Sequence, residues 1–231
     1  MALADRLFGP LADVSAEAGY DEHPPRVGFF TDTSICIGCK ACEVACKEWN
    51  QLPEDGLEFT GTSYDNTGRL SSDTWRHVAF VEKPATTVDL GLPGVGPPDE
   101  QKDVAWLMSS DVCKHCTHAA CLDVCPTGAL FRTEYGTVVV QDDVCNGCGY
   151  CVPACPYGVI DQRKDDGRVF KCTMCYDRLK VGEEPACAKA CPTDSNQFGP
   201  LDELRERADR RLQDLHDKGV DAARLNGADP D

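Results

Sequence analysis

The chain has 231 residues and carries 23 Lys and Arg against 39 Asp and Glu, a formal net charge of −16 that repels phosphate backbones and excludes nucleic acid as a partner. Its three Trp and eight Phe are too few large apolar side chains for a comfortable core at this length, so the sixteen Cys become the candidates for holding it together. No window of 18 uninterrupted apolar residues occurs, which excludes a membrane span within this sequence.

Residues 1–30 are expected to form an N-terminal arm. The first ten, MALADRLFGP, contain an Asp, no long apolar run and no twin arginine, so no secretion signal is expected. Without one, a disulfide framework for the cysteines is disfavoured and metal binding becomes the leading reading. Residues 31–50 hold the first cysteine group, Cys36, Cys39, Cys42 and Cys46, spaced C-x2-C-x2-C-x3-C, and KACEVACKEWN has helical spacing. Residues 51–106 contain no Cys and are rich in Gly, Thr, Asp and Pro, as in GLPGVGPPDE at 91–100. They read as an irregular, partly β insertion.

Residues 107–165 hold two groups. Cys113, Cys116, Cys121 and Cys125 are spaced C-x2-C-x4-C-x3-C; Cys145, Cys148, Cys151 and Cys155 repeat the first spacing. Between them, ALFRTEYGTVVVQDD predicts a short strand, a turn near Tyr135-Gly136 and the β-branched strand Thr137–Val140. VIDQRKDDGRVF predicts a second hairpin, turning at Asp166-Gly167. Residues 166–200 hold the last group, Cys172, Cys175, Cys187 and Cys191, spaced C-x2-C-x11-C-x3-C. The repeat unit is thus ligand loop, short helix, hairpin, with no cysteine left over. In 201–231, Leu201, Leu204, Ala208, Leu212 and Leu215 mark an amphipathic helix, Gly219 a stop, and NGADPD a disordered tail.

A C-x2-C-x2-C loop can wrap three corners of an iron–sulfur cube, whereas the fourth Cys, after x3 and commonly before Pro, ligates the other cluster of a pair. Pro follows Cys125, Cys155 and Cys191; Lys47 stands in its place after Cys46. The competing reading is four zinc sites, but zinc does not call for the third Cys at x2 nor the fourth at x3 with Pro. C-x-x-C-H, needed for c-type haem, is absent.

Groups two and three resemble the bacterial two-cluster ferredoxin, and the whole set resembles the four-cluster electron-transfer subunits of molybdenum or tungsten bis-pterin oxidoreductases. Within that superfamily the segments DTSICIGCKACEVACKEWN, NTGRLSSDTWRHVAFVE, DVCKHCTHAACLDVCPTGAL and RVFKCTMCYDRLKVGEEPACAKACPT are similar to the iron–sulfur (beta) subunit of formate dehydrogenase. The resemblance spans about residues 26–193. It implies an α+β fold of two bacterial-ferredoxin-like di-cluster modules, one inserted in the other: 31–50 plus 166–200 outside and 107–165 inside. The irregular insertion 51–106 and the C-terminal helix complete it.

The resemblance also implies four [4Fe-4S] clusters with crossed ligands. Cys36, Cys39 and Cys42 would share one with Cys191; Cys172, Cys175 and Cys187 one with Cys46. Cys145, Cys148 and Cys151 would share one with Cys125; Cys113, Cys116 and Cys121 one with Cys155. Two departures stand out. PTDSNQFG after group four lacks the Gly and the apolar pair seen after Cys125 and Cys155, so a short or irregular strand is expected there. The formate dehydrogenase subunits often end in one membrane helix, which this sequence lacks.

Lys40, Lys47, Lys114 and Lys171 flank ligands, where a cation would raise a cluster's potential or merely be solvated. His115 and His118 read as polar loop residues, and Trp49, Trp75 and Trp106 as core or partner contacts. The helix stripe is equally suited to a partner or to the chain's own modules. No nucleophile set, phosphate loop or nucleotide fingerprint is present, so no catalytic residue is assigned. The reading is a non-catalytic electron-transfer subunit between a molybdenum/tungsten pterin catalytic subunit, that of formate dehydrogenase, and a membrane or soluble acceptor subunit. The alternatives are the same role in a polysulfide, thiosulfate or sulfoxide reductase, and a free-standing polyferredoxin. Its expected place is at a membrane through a partner, on an undecided side, or in the cytoplasm.

Overall fold

The computed structural model describes residues 13–56, 59, 61, 64, 65, 67–84 and 104–227. The stretch 91–100, most of the arm's first half and the last four residues of the tail lie outside the described residues. Strand β1 (Val27–Thr31) follows a single helical turn, α1 (Val14–Glu17), which Asp13 caps by accepting from the N–H groups of Ser15 and Ala16. Helix α2 (Ala41–Asn50) opens and closes on left-handed residues, Lys40 at φ 59° and Gln51 at φ 51°. The partly β character of the insertion resides in one long hairpin, β2 (Arg76–Pro84) and β3 (Val104–Val112), running from Arg76 opposite Val112 to Pro84 opposite Val104.

Next come α3 (Ala120–Asp123), the hairpin β4 (Leu130–Arg132) and β5 (Val138–Val140), and α4 (Cys151–Ala154). The hairpin β6 (Asp161–Gln162) and β7 (Val169–Phe170) leads to α5 (Tyr176–Leu179) and α6 (Ala186–Lys189). Strand β8 (Asn196–Pro200) and helix α7 (Leu201–Asp217) finish the chain. Both short hairpins turn where the sequence predicts. The short helix of the repeat unit is, at α4, one turn only, and single turns of four residues have no stability of their own in water.

The two ends of the ligand-bearing region are tied by β1 and β8, antiparallel from Val27 opposite Pro200 to Thr31 opposite Asn196. Helix α2 packs on α6, which joins group one to group four, and α3 packs on α4, which joins group two to group three. One module is therefore inserted in the other. The expectation of a short or irregular strand after group four is corrected: β8 is five residues long and paired throughout. Its backbone ladder with β1 holds it where an apolar pair does not. Asp194 takes the left-handed place at φ 53° that Gly128 and Gly158 take after the other Cys-Pro pairs, a conformation short polar side chains tolerate.

Cysteine supplies five of the ten buried residues in the larger core cluster: Cys42, Cys46, Cys113, Cys172 and Cys187, beside Leu70, Trp75, Val78, Val112 and Val159. A second cluster gathers Leu130, Val138, Cys151, Ile160 and Val169 under the inner module. Helix α7 lies on β1 and β8 with Leu204 and Ala208 buried, so its stripe packs on the chain's own modules. Trp75 is core; Trp49 and Trp106 stay partly exposed, with the Trp49 indole N–H donating to Asp177.

Candidate metal centres

The four groups sit on tight loops ahead of short helices. The loops are tight because their residues accept unusual backbone. Gly147, at φ +72°, lies so close to Gly167 that a Cβ would come within 2.6 Å of the latter's carbonyl oxygen. Gly38, at φ +65°, would meet Phe80 and Met108 of the β2–β3 hairpin, each at 2.8 Å. The insertion thus lies directly on the first ligand loop.

All sixteen cysteines are free thiols. Cys42, Cys46, Cys113, Cys151, Cys172, Cys175 and Cys187 are buried; Cys39 and Cys148 are exposed; the remaining seven are half-buried. Neighbourhoods cross the sequence groups. Cys113, Cys116 and Cys121 line one pocket with Cys155. The Asn50 side-chain amide lies 3.7 Å from the Cys46 sulfur and 3.9 Å from that of Cys175. The Cys46 thiolate feels Cys187 and Cys175 electrostatically, and Cys151 feels Cys121, Cys125 and Cys145. Among the described residues no three Cys, His, Asp or Glu side chains converge tightly enough for a single metal ion. That convergence is what zinc requires, and it is what a cube with one thiolate at each corner does not need.

Burial pushes seven of the thiols up, among them Cys151 to about 12 and Cys121 to about 11, with neighbouring thiolates adding to it. Cys172, fully enclosed and beside Cys46, Cys113 and Cys187, is likewise pushed well up. Cys125 and Cys191 go the other way. Burial raises them too, but backbone N–H groups outweigh it: those of Leu130, Thr127 and Ala129 at Cys125, and of Asn196, Thr193 and Ser195 at Cys191. Thiolates massed in a low-dielectric interior need a cationic body to bind, and iron supplies it.

Cations are buried among these thiols. Lys171 is 1% exposed, and its ammonium donates to the carbonyls of Val138, at 2.5 Å, and Cys172, at 3.0 Å. It is therefore an interior cation and not a solvated lysine. Lys40 is held by Glu43 and Asp65, and Lys47 by Asp55; Lys114 pairs with Asp111 near the surface. His115 is buried, not a surface loop residue. Its Nδ1 accepts from the Val138 N–H, and burial, with Lys171, Arg132 and Arg26 nearby, pushes it well below the ordinary histidine value. It is therefore neutral with its proton on Nε2, and Nε2 has no partner among the described residues. Arg76, from the cysteine-free insertion, is buried with Nε and Nη2 equally unpartnered. Orphaned donors of this kind beside the thiols fit bound anionic sulfur clusters. Arg76 lies in the segment NTGRLSSDTWRHVAFVE that carries part of the resemblance, but nothing in its spacing marks it as a neighbour of the thiols: it lies 30 residues from Cys46, and only the hairpin folds it inward.

The known proteins that this chain resembles are iron–sulfur proteins. Two matches to a 4Fe-4S dicluster domain cover residues 35–129 and 104–201. The formate dehydrogenase iron–sulfur subunit of Haemophilus influenzae is 38% identical over 206 residues, 88% of this chain and 61% of that protein. The nitrate-inducible formate dehydrogenase iron–sulfur subunit of Escherichia coli is 38% identical over 203 residues, 87% of this chain and 64% of its own length. The B subunit of anaerobic dimethyl sulfoxide reductase of Escherichia coli is 38% identical over 182 residues, 79% of this chain and 77% of its own length. The protein thus spans under two thirds of the formate dehydrogenase subunits it matches. The two dicluster matches and the sixteen cysteines give four [4Fe-4S] clusters.

Proposed function

This protein belongs to the 4Fe-4S dicluster family of iron–sulfur subunits represented by the B subunit of anaerobic dimethyl sulfoxide reductase, and we propose that it relays single electrons within a formate-dehydrogenase-like complex. The observation that carries the reading is the crossed run of thiol neighbourhoods between exposed Cys39 and exposed Cys148. The ligand sets are Cys36, Cys39, Cys42 with Cys191; Cys172, Cys175, Cys187 with Cys46; Cys113, Cys116, Cys121 with Cys155; and Cys145, Cys148, Cys151 with Cys125. Their order along the molecule follows from which sets adjoin. Cys42 is near Cys187, Cys172 near Cys113, and Cys121 near Cys151. The four sets therefore follow one another in that sequence, with the exposed loops at the two ends.

The clusters supply one-electron redox chemistry. The chain's own residues space them and donate hydrogen bonds to thiolate sulfur, as the Met174 N–H does to Cys172 at 3.2 Å. No residue here is assigned a catalytic step. Formate oxidation releases two electrons and a proton, so a separate molybdenum or tungsten bis-pterin subunit performs it and this protein passes the electrons on singly. The acceptor is a membrane or soluble partner subunit. No helix among the described residues is long and apolar enough to cross a membrane.

A second reading, the same relay in a sulfoxide reductase, is favoured by the fuller coverage of the dimethyl sulfoxide reductase subunit. Both readings expect a pterin-bearing partner to co-purify from the native host, and the substrate of that partner separates them. The first reading expects a pterin-bearing partner and formate-dependent reduction of the natural acceptor that stops when this subunit is removed. Formate-dependent dye reduction by this subunit alone, or an unimpaired natural reaction without it, would refute the division of labour.

A further inference from the structure

Arg76 is 1% exposed and has no carboxylate partner among the described residues. An isolated guanidinium in a protein interior is costly, and its proton cannot be shed to relieve that cost. The protein nevertheless builds a seat for it. Nη1 donates to the Ser110 hydroxyl at 2.8 Å and to the Asn196 side-chain carbonyl at 2.9 Å, and the guanidinium carbon lies 4.7 Å from the centre of the Phe29 ring. These three contacts come from β3, β8 and β1, so the position is fixed from three elements.

Both polar anchors also touch thiols of one proposed ligand set. The Ser110 hydroxyl lies 3.6 Å from the Cys42 sulfur, and the Asn196 N–H donates to the Cys191 sulfur at 3.4 Å. The guanidinium also feels Cys187, Cys172 and Cys46 of the neighbouring set, together with Cys42. Burial opposes its charge, and the surrounding thiolates more than offset that. Nε and Nη2 remain without protein acceptors, on a side chain that adjoins both sets.

We propose that Arg76 is the resident cation shared by the two outer-module clusters, donating through Nε and Nη2 to their sulfur and raising both reduction potentials relative to the inner-module pair. The inference rests on the ligand sets proposed above. A cube held by four thiolates is anionic, and more so when reduced, so a fixed positive charge beside it favours the reduced form. At the interior dielectric that describes measured ion pairs, one charge a few ångströms away changes the one-electron equilibrium at least tenfold, about 59 mV. Lys171 holds the corresponding place between the outer and inner modules, but it is bonded to two carbonyls, whereas Arg76 has donors to spare.

The test is a potentiometric titration of the anaerobically prepared full chain, followed by electron paramagnetic resonance, for the parent, Arg76→Gln and Arg76→Lys. Four clusters in the parent are the control for the ligand sets, and fewer would fail that reading and not this one. Arg76→Gln is expected to lower two of the four potentials by a factor of ten or more in equilibrium constant and to leave the other two within about twofold. Arg76→Lys should retain most of the parental values. If Arg76→Gln loses iron instead, Arg76→Lys should keep about sixteen iron, because the ammonium retains both the positive charge and an N–H donor to sulfur. Equal iron loss in both variants, unchanged potentials in Arg76→Gln, or a uniform shift of all four clusters would overturn the proposal.

Discussion

Cys46 differs from the other three crossing cysteines because Lys47 follows it where Pro follows each of them. Without Pro to break the backbone ladder, α2 runs on to Asn50, whose amide donates to the Cys46 carbonyl at 2.8 Å and faces two sulfurs. Cys46→Ser is therefore expected to disturb the cluster of Cys172, Cys175 and Cys187 and to spare that of Cys36, Cys39 and Cys42. Iron content should fall by about a quarter, and one resonance signal should change. A structure with Cys46 and Cys36 on the same cluster would show the crossing to be wrong. Gly147 gives a second residue-scale prediction. Gly147→Ala places a methyl against a backbone oxygen that cannot rotate away, in a left-handed conformation, and should cost about 2–3 kcal/mol. Gly128→Ala meets nothing within 4 Å and should cost only about 1 kcal/mol, from its φ of +69°. Equal chemical-denaturation midpoints for the two variants would contradict this.

At the scale of elements, the hairpins carry little stability by themselves, since β6 and β7 are two residues each. Long polar side chains fix the neighbouring ligand loop. Arg132 donates to the carbonyls of Cys116 and Thr117, and Arg26 to the Thr117 hydroxyl and the His115 carbonyl, so two arginines clasp the second ligand loop. Helix α7 is held by Leu204 and by Arg211, whose Nε donates to Asp32 at 2.7 Å and Nη2 to the Ser34 hydroxyl. Leu204→Ala removes a buried anchor and should cost about 2–4 kcal/mol. Proteolysis should then cut within α7 first, because its main support is the β1–β8 pair. Protection of α7 unchanged in that variant would mean the polar contacts suffice to dock it.

For the whole molecule, half of the larger core's buried residues are cysteines, so ligand binding and folding are coupled. Anaerobic preparations should hold about sixteen iron and sixteen acid-labile sulfide. Removing them with a chelator should abolish the folded circular-dichroism and proteolysis signatures, because thiols left in those positions pack poorly and repel one another once ionised. Stoichiometric zinc, or a metal-free protein that retains its protease resistance, would contradict this account. The β1–β8 pair belongs to the same argument: it closes a module whose halves lie far apart in the chain, and that closure offsets its entropy only once cluster ligands from both halves are joined.

The x2, x2, x3 spacings state the ligand chemistry outright, because three residues at x2 separations wrap one cube and the fourth, at x3, turns to the other cluster of a pair, whatever the rest of the chain does. Turn dipeptides at Tyr135-Gly136 and Asp166-Gly167 likewise act locally, and the Leu201–Leu215 stripe announces its helix by period alone. What lies beyond sequence reach is long-range and mutual. Asp194 replaces an expected Gly, and β8 still forms because β1 supplies the ladder. Which cysteine groups adjoin, and hence the order of the sets from Cys39 to Cys148, depends on how α2 meets α6 and α3 meets α4. Arg76, Lys171 and His115 look like ordinary polar residues in the sequence; tertiary packing alone carries them into the interior, where unpaired donors and cations acquire meaning from the thiols around them. Spacing determines what is bound, and only the fold decides what surrounds it.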